Sequence, residues 1–331
     1  MLMKKSLIAL AIAGAMTAPI VAQADATLYG GVETRLKFIE DHDADLFVDK
    51  AEMGVKGSSD LENLDGVKAT YQIEFRIDAN GNDDSALANT INNSNSSGVQ
   101  MRKANVGLVG DFGIVQIGRQ NNLGNAVKKA DVFMSQSAGY LANDRFGNAV
   151  YYVTPKMAGF EAYAGLILDG QQDDNEEDVD AWQLGFNYGL MGLDLSAAYT
   201  EVDSNYLDGA DDAELWGVGA AYAIGDFTLA ATYENQEVGD VEDETAVLAA
   251  LYTIGNTTLK AGYAETWVDN SHEGSDGLSN TGDNDYAGYT VQAAYALGKK
   301  ATVKAEWNTQ DYDGDRFEDT DTVTLSYAVA F

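Results

Sequence analysis

The chain has 331 residues, no cysteine, two prolines, and 53 acidic against 20 basic residues, which gives a formal net charge of −33. The lack of cysteine excludes a disulfide framework and a thiolate metal site. The negative charge argues against a nucleic-acid partner, which requires a basic surface.

Residues 1–24 have the pattern of a cleavable signal peptide. Lys4 and Lys5 precede an almost wholly apolar run over 6–20, and Ala22-Gln23-Ala24 gives the small-x-small sequence that a signal peptidase reads. An uncleaved anchor is the alternative. Residues 25–331 then form one domain, and they contain no stretch of roughly 20 apolar residues that could cross a bilayer as a helix.

Alternating apolar and polar residues recur along the rest of the chain, a period of two that is typical of strands with one apolar face. This regularity also argues against a disordered acidic chain. The phase is unclear only in the fourth and fifth segments, where Lys103 and Asn105 fit poorly. The pattern predicts sixteen strands, over 26–38, 46–58, 66–78, 98–110, 113–120, 147–154, 160–168, 180–189, 193–202, 214–224, 227–236, 244–254, 257–267, 286–297, 301–310 and 319–331.

The predicted connections alternate in length. Tight turns around 191–192, 225–226, 255–256 and 298–300 separate long acidic stretches around 169–179, 202–213, 235–243, 268–285 and 310–320. Short turns at one rim and long loops at the other are how outer-membrane barrels are built. The apolar faces are rich in Ala, which suits a lipid-facing surface better than a packed core. The prediction is an all-β, transmembrane, antiparallel, 16-stranded up-and-down barrel; a soluble β-protein is the alternative.

Two sets of aromatic residues agree with a membrane barrel. One set lies close to the tight turns or the chain end, and the other lies beside the long loops. The tyrosines are Tyr188, Tyr222, Tyr252, Tyr295 and Tyr327, and the tryptophans are Trp182, Trp216, Trp267 and Trp307. Belts of amphipathic rings at two levels match the two membrane interfaces.

Basic residues concentrate in the early strands. Arg35, Lys37, Lys68 and Arg76 share the polar phase of strands one and three. A charge on the lipid side costs up to about 2–4 kcal/mol at mid-membrane, so we expect these side chains in the lumen. They either form part of a transverse field that acts on solutes or simply hydrate the lumen and pair with nearby glutamates.

One connection, over about 121–146, breaks the rhythm between strands five and six. It contains Lys128, Lys129, Asp131, Asp144 and Arg145. It is either an ordinary external loop or a third loop folded inward to narrow a pore.

Other motifs give little indication of chemistry. Asp311, Asp313 and Asp315 resemble a calcium loop, but the spacing to Glu318 does not fit an EF-hand, so only weak divalent-cation binding is expected. The two histidines, His42 and His272, lie in predicted loops. No nucleophile elbow or phosphate loop is present, so neither an enzyme nor a cofactor is expected; an outer-membrane barrel enzyme stays the rival class.

Several segments carry a family resemblance. They are Ala26-Thr-Leu-Tyr-Gly30, Gly54-Val-Lys-Gly57, Gly107-Leu-Val-Gly-Asp-Phe-Gly113, Ile117-Gly-Arg-Gln120, Arg145-Phe-Gly-Asn-Ala-Val-Tyr-Tyr152, and the aromatic end Phe331 with Tyr327 and Val329 on the same face. In order and spacing they resemble the general outer-membrane porins of Gram-negative bacteria. The end segment resembles the signal that the barrel-assembly machinery reads.

The resemblance implies a homotrimer in the outer membrane, among lipid and lipopolysaccharide, that passes small hydrophilic solutes and ions by passive diffusion. A solute-specific or anion-preferring porin is the alternative. It also implies that the third loop forms an eyelet opposite wall arginines, for which Arg102 and Arg119 match in position. Glu52 stands where the family often has an arginine. The expected pore residues are Arg35, Lys37, Lys50, Glu52, Arg76, Arg102, Arg119, Asp131, Asp144 and Arg145.

Overall fold

The computed structural model describes residues 25–77, 98–135, 144–168, 179–204, 211–239, 241–268, 285–313 and 318–331. The predicted signal peptide lies outside these residues.

Sixteen strands form, each within three residues of its predicted bounds. They are β1 (Asp25–Ile39), β2 (Asp45–Asp60), β3 (Lys68–Ile77), β4 (Val99–Gly110), β5 (Gly113–Asn121), β6 (Arg145–Val153), β7 (Phe160–Ile167), β8 (Ala181–Leu190), β9 (Leu193–Val202), β10 (Ala213–Ile224), β11 (Phe227–Val238), β12 (Val241–Ile254), β13 (Thr257–Val268), β14 (Tyr286–Ala296), β15 (Ala301–Tyr312) and β16 (Thr320–Ala330).

The strands form one closed antiparallel barrel. Each strand pairs with its sequence neighbours, and β16 returns to pair with β1, in a register that places Gly31 opposite Ala330 and Lys37 opposite Thr324. Closure gives every strand two partners, so neither edge of the sheet is left unpaired. The predicted 16-stranded up-and-down barrel is therefore confirmed.

The two faces of the barrel have the reverse polarity of a soluble protein. Leu248 on β12 is 57% exposed, while the alternate residues Thr245 and Val247 are 0% and 2% exposed. Polar side chains such as Gln183 and Thr324 are likewise buried. A contiguous exposed apolar surface of this extent marks contact with a membrane or a partner. No helix in the described residues is long and apolar enough to span a bilayer.

The connections follow the predicted alternation with one exception. The stretch 235–243, expected as a long loop, is mostly paired strand: β11 continues to Val238 and β12 begins at Val241. Asn235 pairs with Glu244 and Glu237 pairs with Glu242. The aromatic residues pair across strands at both levels, with Trp216 near Tyr233 beside the long loops and Phe227 near Tyr252 beside the tight turns.

Three register shifts interrupt the ladders in the first third of the barrel. They fall between Glu33 and Thr34 of the β1–β2 pair, between Glu74 and Phe75 of β3–β4, and between Gly118 and Gln120 of β5–β6. The residues that these three ladders skip include Asp49, Arg102 and Arg119. An inserted residue reverses the side-chain alternation beyond it, and Arg102 in β4 explains why strand four had no clear phase in the sequence.

Candidate pore constriction

The connection between β5 and β6 spans residues 122–144, of which 122–135 and 144 are described; residues 122–135 form what we call the connecting segment. The segment begins with a 3₁₀ turn over Leu123–Val127, capped by the Asn122 side chain, whose Oδ1 accepts from the Gly124 N–H at 2.7 Å. The Gln183 side chain on β8 donates to the same oxygen at 2.6 Å. The start of the segment is thus fixed to the polar face of the wall.

The middle of the connecting segment is held by hydroxyl groups and one lysine. The Ser196 hydroxyl of β9 donates to the Ala126 carbonyl at 2.7 Å. The Thr232 hydroxyl of β11 donates to the Val127 carbonyl at 3.0 Å and accepts from the Ala130 N–H at 3.1 Å. Lys260 of β13 donates to the Val132 carbonyl. Successive turns of the segment therefore contact successive strands on their polar face.

The far end of the described segment is clamped by a carboxylate. Glu306 on β15 accepts from the backbone N–H groups of Met134 and Ser135 at 2.8 and 2.6 Å. Arg35 on β1 donates to the Met134 carbonyl at 3.0 Å. The segment thus reaches from β8 to β15 and β1, around about half of the polar face.

A glycine permits the closest approach between the segment and the wall. A Cβ added to Gly219 on β10 would lie 2.1 Å from the Val127 carbonyl oxygen, far inside van der Waals contact. Only glycine lets the backbone approach so closely without displacement.

Glu33 is the centre of a first charged group. Its Oε1 accepts from Lys304 Nζ at 3.1 Å, Arg35 Nε at 3.2 Å and the Ser326 hydroxyl at 2.8 Å. Arg35 also pairs with Asp49 at 3.0 Å. Glu33 is 6% exposed, and two cations and a hydroxyl satisfy its buried charge, as a buried carboxylate requires.

Glu74 is the centre of a second charged group. Its carboxylate pairs with Arg102 at 2.9 Å and Lys103 at 3.4 Å, and it accepts from the Tyr29 hydroxyl at 2.9 Å. Arg102 and Lys103 are adjacent in sequence yet reach the same carboxylate, because Arg102 is the inserted residue of the β3–β4 register shift. Arg102 also pairs with Glu52 at 3.1 Å.

Two further predicted residues lie near these groups. Arg76 donates to the Asp49 carbonyl, which places it between the first group and the second. Arg145 lies in β6 rather than in the predicted loop and pairs with Asp144 at 3.6 Å. It is close enough to Glu52 and Glu74 to be attracted by their charges and to Arg102 to be repelled by it.

The remaining predicted pore residues are more dispersed. Lys37 is half-buried, and Lys50 and Asp131 are exposed. Asp144 keeps a 68% exposed side chain while it contacts Lys128 at 3.9 Å. Arg119 is exposed and donates to the Met101 carbonyl at 3.1 Å. The structure therefore does not place it beside Arg102 in the second charged group, where the resemblance led us to expect it.

The sequence did not single out Lys304 or Glu306. Both were visible only as polar-phase residues on β15, and nothing local indicated that they would contact Glu33 or the connecting segment. Their partners lie 271 and 172 positions away in the chain.

The predicted assembly residues share one exposed face of β16 and its end. Tyr327, Val329 and Phe331 are 49%, 38% and 52% exposed. The Phe331 N–H donates to the Gly30 carbonyl at 3.0 Å, and its ring lies where a Gly30 side chain would be.

The structure covers only part of the weaker sequence motifs. Asp311 and Asp313 are described, whereas Asp315 and His272 lie outside the described residues. Among the residues that the structure covers, no group of three or more His, Cys, Asp or Glu could hold a metal ion.

Comparison with known proteins gives a consistent picture. The profile of a family described as Gram-negative porin matches residues 8–315. The major outer membrane protein P.IB of Neisseria meningitidis serogroup B is 28% identical over 351 residues, with 96% of this chain and 97% of that protein covered.

Solved structures share the fold at lower identity. The anion-selective porin from Comamonas acidovorans superposes with a TM-score of 0.70 at 19% identity, covering 93% of this chain and 100% of that one. The trimer form of OmpT from Vibrio cholerae superposes with a TM-score of 0.69 at 20% identity, covering 93% of this chain and 99% of that one.

Proposed function

The chain belongs to the Gram-negative porin family of the outer membrane, and we propose that it is a general diffusion channel whose lumen is narrowed by the connecting segment. A barrel of this strand number encloses water rather than packed side chains. Solutes therefore cross without a transport cycle, and a channel rather than an enzyme is the activity proposed.

One observation carries this proposal: the segment is hydrogen-bonded to the polar face at β8, β9, β11, β13, β15 and β1. The apolar face is the exposed one, so the polar face is the lumen side of the closed barrel. A segment tied to that face at so many points occupies the lumen and leaves a narrower passage. This supports the inward-folded third loop that the sequence predicted.

The charged groups around Glu33 and Glu74 are proposed to form the wall of the constriction. Each group combines acidic and basic side chains within 3–4 Å, so opposite charges are nearly balanced there. The connecting segment adds Lys128, Lys129 and Asp131. We infer a constriction that orders dipolar solutes with weak ion selectivity, while the acidic long loops attract cations at the mouth.

Further parts of the proposal concern maturation and assembly. We propose that residues 1–24 are removed as a signal peptide. We also propose that three barrels associate into a trimer, the form in which the OmpT structure was solved. The exposed apolar face then contacts lipid, lipopolysaccharide and neighbouring barrels. Tyr327, Val329 and Phe331 are proposed to be read by the barrel-assembly machinery.

Planar-bilayer recording tests the proposed function. The purified protein is expected to insert with conductance steps in threes and to give a reversal potential that favours cations at low salt and approaches zero at high salt, because salt screens the loop charges beyond about 10 Å at 0.1 M. A preparation that folds as a barrel but never conducts contradicts the channel. A large selectivity that is independent of salt contradicts the balanced constriction.

A further inference from the structure

A polar cavity of about 360 Å³ lies beside the start of the connecting segment. Its wall residues come from β3 to β8 and from residues 121–126. Gln116, Glu161 and Asn187 lie near the ends of strands β5, β7 and β8 that face the tight turns. The cavity therefore lies on the tight-turn side of the constriction, where a solute arrives after it has passed the charged groups.

The lining differs in chemistry from the constriction. Amide side chains make up half of its fourteen lining residues, and its volume falls in the range of small-molecule sites. Besides Asn121 and Asn122, the lining amides are Gln72, Gln116, Gln120, Asn125 and Asn187. Lys103 also lines the cavity, but its charge is already paired with Glu74 at 3.4 Å. The wall is therefore rich in neutral hydrogen-bonding groups.

Three of these amides have unmet hydrogen-bonding capacity. Within the part of the chain that is described, the side-chain oxygens of Gln120, Asn125 and Asn187 are buried and accept no hydrogen bond. The nitrogens of two of them are engaged: Asn125 donates to the Asp144 carbonyl at 2.9 Å and Gln120 to the Gln116 carbonyl at 3.4 Å. Buried acceptors without donors are rare in native proteins and cost stability.

We propose that this cavity is a binding subsite for a neutral polyhydroxylated solute of monosaccharide size. Hydroxyl groups supply the donors that the three oxygens lack and also accept from amide nitrogens, so they match the wall in either amide orientation. The terminal torsion of an amide side chain is broad, so rotation about it is the movement by which these oxygens would meet the solute.

A charged solute fits this cavity less well. An anion would meet amide and carboxylate oxygens, and its attraction to Lys103 is already offset by Glu74. A cation would have to approach Lys103, with Glu161 as its opposite charge. A neutral sugar meets neither penalty. The subsite rests on the proposed function because solutes must enter the lumen to reach it.

Current-noise analysis of the reconstituted channel with added glucose tests the subsite. The wild type is expected to show saturable, glucose-dependent noise, whereas a polyethylene glycol of similar mass shows none. Asn187→Leu and Gln120→Leu each remove one acceptor and are expected to weaken glucose binding roughly fivefold, the usual effect of one hydrogen bond. Their sugar-free conductance reports whether the barrel has folded.

Asn308→Leu is the matched control. Asn308 is a buried amide of β15, whose Oδ1 also accepts no hydrogen bond from the described residues, but it lies outside the cavity. It is expected to leave glucose binding unchanged. Wild-type channels that conduct but show no saturable glucose-dependent noise would overturn the subsite alone. So would a loss of glucose binding in Asn308→Leu equal to that in Asn187→Leu and Gln120→Leu. A protein that forms no channel overturns the proposed function and the subsite with it.

Discussion

Arg102 reaches Glu74 on the polar face of the barrel because of one inserted residue in β4. Strict alternation would give Arg102 and Lys103 opposite faces, yet both contact Glu74. The register shift between Glu74 and Phe75 produces this arrangement. Bulges of this kind commonly re-aim side chains at functional positions.

Single neutral substitutions in the two charged groups are expected to change ion selectivity in opposite directions. Arg102→Gln removes a positive charge and moves the reversal potential toward cations, whereas Glu33→Gln leaves Arg35 and Lys304 without their shared carboxylate and moves it toward anions. Reversal potentials across a salt gradient measure both. Arg119→Gln is the control, because Arg119 is exposed and its guanidinium donates to the Met101 backbone carbonyl, outside both charged groups. Shifts of the same sign in Arg102→Gln and Glu33→Gln would contradict the assignment.

At this scale the sequence predicted part of the charged groups that the structure brings together. Arg35 and Arg76 were selected by period-two alternation, and Glu52 by the family resemblance. Arg119 was placed by the family resemblance; on β5 it shares the phase of the exposed Ile117 and lies on the face opposite Gln116 and Gln120. Glu306 was not selected because its role depends on a loop 172 positions distant, and strand alternation carries no information about such contacts.

Among the elements, the strands were the most predictable part and the connecting segment the least. A strand in a membrane barrel has one lipid-facing side, so every second residue along it is apolar and the strand can be recognised from the sequence. The stretch 235–243 was wrongly predicted as a loop because its acidic residues resemble solvated loop composition, although they form a paired hairpin. The path of the segment across the polar face depends on scattered partners such as Ser196, Thr232 and Glu306.

Gly219→Ala is expected to displace the connecting segment. The new Cβ would stand 2.1 Å from the Val127 carbonyl oxygen, so the segment has to move away from β10 and give up hydrogen bonds nearby. Single-channel recording is expected to show a changed conductance with more open-channel noise, and thermal unfolding a lower midpoint. Gly298→Ala is the control, since no atom lies within 4 Å of its added Cβ. Equal behaviour of the two variants would mean that the segment is not held where the structure places it.

A row of glutamates crosses four neighbouring strands without an opposite charge between them. Glu201 pairs with Glu214, Glu214 with Glu237, and Glu237 with Glu242. Like charges directly opposite in a sheet are destabilising by a few tenths to about 1 kcal/mol. Glu214→Gln is therefore expected to raise the unfolding midpoint in low salt, and added salt is expected to remove the gain. Glu161→Gln, on β7 away from this row, is the control; a loss of stability in Glu214→Gln would show that the row is neutralised by other means.

Considered as a whole molecule, the barrel depends on the pairing of its first and last strands. Phe331 contributes a backbone hydrogen bond to Gly30 and a ring that covers this glycine at the seam. Removal of Phe331 takes away one half-exposed apolar contact among many, worth less than the roughly 1.5–3 kcal/mol of a fully buried side chain. The truncated protein is expected to refold in detergent nearly as well as the wild type.

The same truncation is expected to be much more harmful in cells if Phe331 is also the assembly signal. Outer-membrane yield, measured by immunoblot of membrane fractions, is then expected to fall far more than refolding yield. Phe331→Tyr is the control, because it keeps an aromatic ring over Gly30. Equal losses in vitro and in cells would make Phe331 a packing residue only.

The pairing of β1 with β16 also determines which step of barrel formation comes last. Every other seam joins neighbouring strands and can form as soon as two of them are available, but this one joins residues about 300 positions apart, such as Gly31 and Ala330. Loop closure over such a distance is slow, and until it happens both edges of the sheet stay open to proteases and to other chains. An incomplete chain can never close the ring, so closure itself separates finished molecules from those that the cell has to destroy.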